Sequence, residues 1–113
     1  MLLAKAISRL RAHAADRSYR TPDGLTVDAD GGVWTAVANG GAVYRYNVDG
    51  VLEEKLAVPA RKVTACTFGG DHLDRLFITT SQEHIDTRDD PLAGSLFTAE
   101  VGIAGLPVRV FAG

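Results

Sequence analysis

Two regimes of hydrophobic patterning divide the chain. In residues 1–20, Leu2, Leu3, Ala6, Ile7, Leu10 and Ala14 recur at helical spacing, while Lys5, Arg9, Arg11, Arg17 and Arg20 fill the other positions. That recurrence gathers apolar side chains on one face of a helix. It predicts a short basic amphipathic helix packed on or near the body, in preference to a membrane-surface or targeting segment. From Thr21 onward the period falls to two, the signature of strands. Strands are predicted over 25–28, Val33–Ala38, 42–47 and 51–58. They are separated by Ala29-Asp30-Gly31-Gly32, Asn39-Gly40-Gly41 and Asp49-Gly50, and Pro59 ends the last. These separators hold residues that accept the positive φ of tight hairpin turns. Four short antiparallel strands so joined make one propeller blade.

The pattern then repeats. Strands are predicted over 63–68, Arg75–Thr80, 95–100 and 108–111, with Gly69-Gly70 as the first turn. In register, Val27 matches Phe68, Trp34-Thr35-Ala36 matches Phe77-Ile78-Thr79, and Gly41-Ala42-Val43-Tyr44 matches Gly94-Ser95-Leu96-Phe97. A repeat of this length is that of propeller units. The insertion at 81–93 carries Glu83, His84, Asp86, Arg88, Asp89 and Asp90 and reads as a solvated loop. The fold expected is all-β: two four-stranded antiparallel blades, residues 21–60 and 61–113, preceded by the helical extension 1–20. Two blades alone leave apolar faces and strand edges open, so the chain is expected to be part of a larger ring or to complete one as a homo-oligomer.

Composition narrows the partners. The net charge is −2, which offers no electrostatic basis for binding nucleic acid or an anionic membrane. No apolar run reaches the length that spans a bilayer. Cys66 is the one cysteine, so no disulfide framework exists, and a cytoplasmic location is expected.

The run from Pro22-Asp23-Gly24 through Asp28, Asp30-Gly31-Gly32 and Trp34 resembles the signature of the gluconolactonase / senescence-marker (regucalcin) family. The resemblance continues in Asn39-Gly40-Gly41, in Asp49-Gly50 and in Val63-Thr64-Ala65-Cys66-Thr67-Phe68-Gly69-Gly70. The tail, Gly94-Ser95-Leu96-Phe97 and Gly105-Leu106-Pro107, fits as well. The match runs over residues 21–113. It implies the C-terminal two blades of a six-bladed β-propeller and a metal-dependent hydrolase of sugar-acid lactones. It also implies a divalent cation (calcium, zinc, manganese or magnesium) held by a Glu, an Asn and the Asp of the Pro-Asp-Gly motif. Only the last maps here, onto Asp23, which the resemblance makes a metal ligand and a general base at the axial start of an inner strand. Residues 1–20 depart from the family pattern, which has a strand there.

The remaining candidates read as structural. Asp28, Asp30 and Asp49 sit beside glycines in turns. Cys66 lies in an apolar strand and reads as a buried thiol. His13, His72 and His84 fall in separate segments without Ser or Asp partners in a triad arrangement. Trp34, Tyr44, Tyr46, Phe68, Phe77 and Phe97 recur at matched positions, as residues packed between blades do. The glycine pairs are hairpin turns, since none opens a helix as a phosphate loop does. Three functions compete: a partial lactonase with a small-molecule lactone as its substrate, a non-catalytic propeller remnant or interaction module, and a ring built from three copies.

Overall fold

A computed structural model describes residues 21–107. The helix expected over residues 1–20 and the strand expected over 108–111 lie outside the described residues. The described residues form seven strands: β1 (Thr21–Val27), β2 (Val33–Ala38), β3 (Ala42–Tyr46), β4 (Leu52–Ala57), β5 (Val63–Gly69), β6 (Arg75–Thr80) and β7 (Leu96–Glu100). They form two antiparallel sheets, a four-stranded one in the order β1-β2-β3-β4 and a three-stranded one in the order β5-β6-β7.

Strand order follows chain order because every connection within a sheet is a hairpin. Gly31, Gly41, Gly50, Gly70 and Gly94 take the positive φ that the turns require, and Asn39 joins them at 61°. The pairing reproduces the internal repeat. Val27 pairs with Val33 in the first sheet as Phe68 pairs with Leu76 in the second. Thr35 pairs with Tyr44 as Ile78 pairs with Phe97. The strands β1, β2 and β3 therefore correspond to β5, β6 and β7 in the register read from the sequence.

Burial explains the composition of each strand. All six residues of β2 are buried, which accounts for its nearly unbroken apolar run Val-Trp-Thr-Ala-Val-Ala. The outer strand β4 exposes Glu53, Glu54 and Lys55, charges that discourage edge-to-edge pairing. Between the sheets, Trp34, Ala36 and Val43 meet Val63, Cys66, Phe68, Leu76 and Ile78. Trp34 and Phe68 pack edge to face, ring centroids 6.1 Å apart. Each large side chain buried here contributes about 1.5–3 kcal/mol. The first sheet's other face buries Val33, Val37, Ala42, Tyr44 and Tyr46. The expected packing between sheets holds for Trp34 and Phe68, with Phe97 against the same cluster, while Tyr44 and Tyr46 are buried on the face turned away from the second sheet. Phe77 is only half-buried, on the second sheet's outward face, beside Leu96.

After β7 the chain returns to the first sheet. Gly105 bridges to Asp28, Ala29 N–H donates to Ala104 O at 2.8 Å, and Gly105 N–H donates to Leu73 O at 2.7 Å. A Cβ at Gly105 would collide with the Phe68 ring, so the tail crosses there only without a side chain.

Candidate functional site

The strands β1 and β5 lie side by side, one from each sheet. Contrary to the sequence reading, which began the first strand at Leu25, Pro22-Asp23-Gly24 is itself part of β1. Pro22 pairs with Val37 and Leu25 with Thr35, so Asp23 and Gly24 together face one residue of β2. This is a β-bulge, a device that re-aims a side chain and often borders a functional site. The second sheet has the same device. Val63 pairs with Thr80 and Ala65 with Thr79, leaving Thr64 as the extra residue. When Val27 is superposed on Phe68, Asp23 falls on Thr64.

The two bulges touch. A Cβ on Gly24 would stand 2.8 Å from Ala65 Cβ and 3.2 Å from Thr64 O, so only glycine lets β1 and β5 approach so closely. Thr64 Oγ1 lies 2.8 Å from Thr79 Oγ1 and 3.2 Å from Thr79 O. Asp23 is described through its backbone, at the bulge. The connection 81–95, joining β6 to β7, starts at the same end of the sheets, because Ser81 N–H donates to Lys62 O just before β5.

That connection is less uniformly solvated than its composition predicts. Glu83, His84, Asp86, Arg88 and Asp89 are exposed, as expected. Asp90 is buried and accepts the Arg61 N–H at 2.9 Å, which pins the loop to the segment between the sheets. Asp86 accepts from Arg88 at 2.9 Å, and this hydrogen bond holds its carboxyl below the ordinary value. Among the described residues, no three His, Cys, Asp or Glu side chains gather closely enough to hold a metal ion. The described residues therefore do not make a cation site by themselves.

At the far end of β1, Asp28 does more than shape a turn. Its carboxylate is wholly shielded and accepts four hydrogen bonds, from Asp30 N–H (3.0 Å), Gly32 N–H (2.8 Å), Trp34 Nε1–H (2.8 Å) and Arg45 Nε–H (2.8 Å). Arg45 also binds Glu53 at 2.8 Å and lies 5.9 Å from the Trp34 ring centroid. Burial by itself raises the Asp28 pKa, but the bonds from Arg45, Trp34 and Gly32 outweigh it and hold the carboxyl below its ordinary value. The sequence reading took Asp28 as a turn residue only. The turn role stands, and the ionic and indole contacts are additional.

Cys66 is buried, with its Sγ–H directed at Trp34 O at 3.5 Å. Burial pushes the thiol up to about 12, which leaves it protonated and inert near neutrality. No described helix is long and apolar enough to cross a membrane.

Comparison with known proteins places these features in a family. Residues 4–82 match the SMP-30/Gluconolactonase/LRE-like region, a span that includes most of the segment set apart in the sequence reading. The pentonolactonase XacC of Haloferax volcanii is 40% identical over 93 residues, covering 76% of this chain and 32% of that protein. The 6-deoxy-6-sulfogluconolactonase of Pseudomonas putida is 37% identical over 95 residues, covering 81% and 33%. Among solved structures, regucalcin of Agrobacterium tumefaciens, described as a calcium-binding protein, superposes with a TM-score of 0.72 at 33% identity, over 75% of this chain and 30% of that one. The chain thus spans about a third of the length of the curated relatives it matches. With its matched register, its paired bulges and this span of similarity, the chain belongs to the SMP-30/gluconolactonase/LRE-like family.

Proposed function

We propose that the chain carries part of the site of a sugar-lactone hydrolase, with Asp23 as its acidic residue. The observation that carries this reading is the seat of Asp23, in the bulge of an inner strand that abuts the inner strand of the neighbouring sheet. Lactonases among the matched relatives support the substrate class.

In this reading the chain contributes two blades, 21–60 and 61–113, to a six-bladed ring, behind the N-terminal segment 1–20. A lactone opens when a water oxygen bonds to the acyl carbon and the ring C–O bond breaks. Asp23 takes a proton from the attacking water, and the departing ring oxygen gains a proton to become the hydroxyl of the product acid. Asp23 would also be one oxygen ligand of a divalent cation whose other ligands come from outside the described residues. Calcium, zinc, manganese and magnesium all accept carboxylate oxygen, and calcium is favoured by the calcium-binding regucalcin neighbour. The reduced Cys66 thiol favours the cytoplasm.

The test is base consumption during hydrolysis of sugar-acid lactones, with each cation in turn, above the spontaneous rate. Asp23→Asn and Asp23→Ala are expected to abolish the excess rate. Equal rates for wild type and both variants would refute the assignment.

A second reading rests on the outward face of the second sheet, where Leu96 is 62% exposed beside Phe77. Copies of the chain would cover these residues by completing a ring of three. Light scattering decides it: a trimer supports the ring and a monomer refutes it.

A further inference from the structure

We propose that Thr64 is a specificity-determining residue of the same site, accepting a hydrogen bond from a ring hydroxyl of a sugar lactone, with Thr79 as its positioning residue. This inference rests on the lactonase reading and adds a residue to it.

Thr64 occupies in the second sheet the bulge position that Asp23 occupies in the first, and the two bulged strands touch at Gly24 and Ala65. The bulge that holds Asp23 is thus next to the bulge that holds Thr64. The Thr64 side chain is only half-buried, so it is open to a ligand. It is also held in place. Thr64 Oγ1 is 3.2 Å from Thr79 O, an acceptor, and 2.8 Å from Thr79 Oγ1.

A hydroxyl has one proton and two lone pairs. Thr79 Oγ1 also has Ala65 O within reach at 3.5 Å. Either Thr64 donates to Thr79 O while it accepts from the Thr79 hydroxyl, or Thr64 donates to Thr79 Oγ1 while Thr79 donates to Ala65 O. In both arrangements the Thr64 proton is committed to Thr79 and at least one lone pair is left, so Thr64 serves a ligand as an acceptor. Carbonyl and ester oxygens of a lactone are acceptors and gain nothing from it. The hydroxyls of a polyhydroxylated lactone are donors and fit it. Thr64 therefore discriminates between lactones with and without ring hydroxyls rather than acting on the scissile bond.

The experiment compares wild type, Thr64→Val, Thr64→Ser and Thr79→Val on two six-membered lactones, D-glucono-1,5-lactone and δ-valerolactone, the latter without hydroxyls. Binding of D-gluconate is followed in parallel by threonine-methyl NMR. Loss of a single hydrogen bond is expected to lower the preference for the hydroxylated lactone about five- to tenfold in Thr64→Val, chiefly through KM, and to weaken gluconate binding similarly. Thr64→Ser restores the preference, and Thr79→Val lowers it in the same direction. An unchanged preference in Thr64→Val, whether or not both rates fall together, overturns the role of Thr64 and leaves the lactonase reading standing. A wild type that neither hydrolyses the lactones nor binds gluconate overturns both, and is recognised before any variant is made.

Discussion

Asp28 and Arg45, seventeen residues apart in the chain, meet at 2.8 Å with the carboxylate fully shielded from water. The contact ties the residue just after β1 to the C-terminal end of β3 across the intervening strand, and the same carboxylate holds the indole N–H of Trp34. One side chain thus links the turn, the inter-sheet core and the charged outer edge.

Replacing Asp28 exposes this dependence. In Asp28→Ala, Arg45 keeps Glu53 but loses its buried partner, and the Trp34 N–H loses its acceptor. The expected loss is about 2–3 kcal/mol, read as a lower urea midpoint. The wild type also has an acid limb. The folded pKa of Asp28 is depressed, so its stabilisation is fully present above the unfolded value near 3.8 and is lost as pH falls through the lower folded value. Urea midpoints measured from pH 6 down to pH 2 should fall in the wild type and fall less in Asp28→Asn.

Cys66 should resist thiol reagents in the native protein. Its folded pKa is raised from 9.0 to about 12, so the unfolded chain deprotonates first as pH rises and stability declines above about pH 9. At pH 8 a disulfide reagent should react with Cys66 only after urea unfolding. Rapid labelling of the folded protein would contradict its burial.

Tyr46 offers a substitution in the opposite direction. Its ring is buried but its hydroxyl has no hydrogen-bond partner among the described residues, and burial, with the neighbouring Tyr44, raises its pKa to about 12. A buried hydroxyl without a partner carries an uncompensated desolvation cost. Tyr46→Phe should therefore raise stability by about 1 kcal/mol, visible as a higher urea midpoint. A lower midpoint would mean that the hydroxyl is satisfied in solution.

Much of the sheet structure was legible in the chain. Alternation and turn residues placed six of the seven described strands to within a residue or so, and the repeat equivalences Thr35 with Ile78 and Tyr44 with Phe97 agree with the cross-strand pairs Thr35–Tyr44 and Ile78–Phe97. The first strand was placed too late because Pro22-Asp23-Gly24 has turn chemistry, and a bulge uses the same residues as a turn. Asp90 was misjudged for a related reason. An acid-rich loop reads as solvated, and its burial depends on an Arg61 N–H that lies 29 residues earlier.

What the sequence by itself determined is local and periodic: strand positions, turns, the two-unit repeat and the motif that singles out Asp23. The strands, turns and repeat follow from backbone sterics and alternation, which act over a few residues, and Asp23 is singled out by the resemblance of its Pro-Asp-Gly motif to the family. Only the tertiary structure decided that Asp23 and Thr64 occupy equivalent bulges in touching strands, and that Asp28 reaches Arg45 and Trp34. Those relations depend on how hydrogen-bonded register stacks one sheet on the other, and register is a property of pairs of strands rather than of either strand alone.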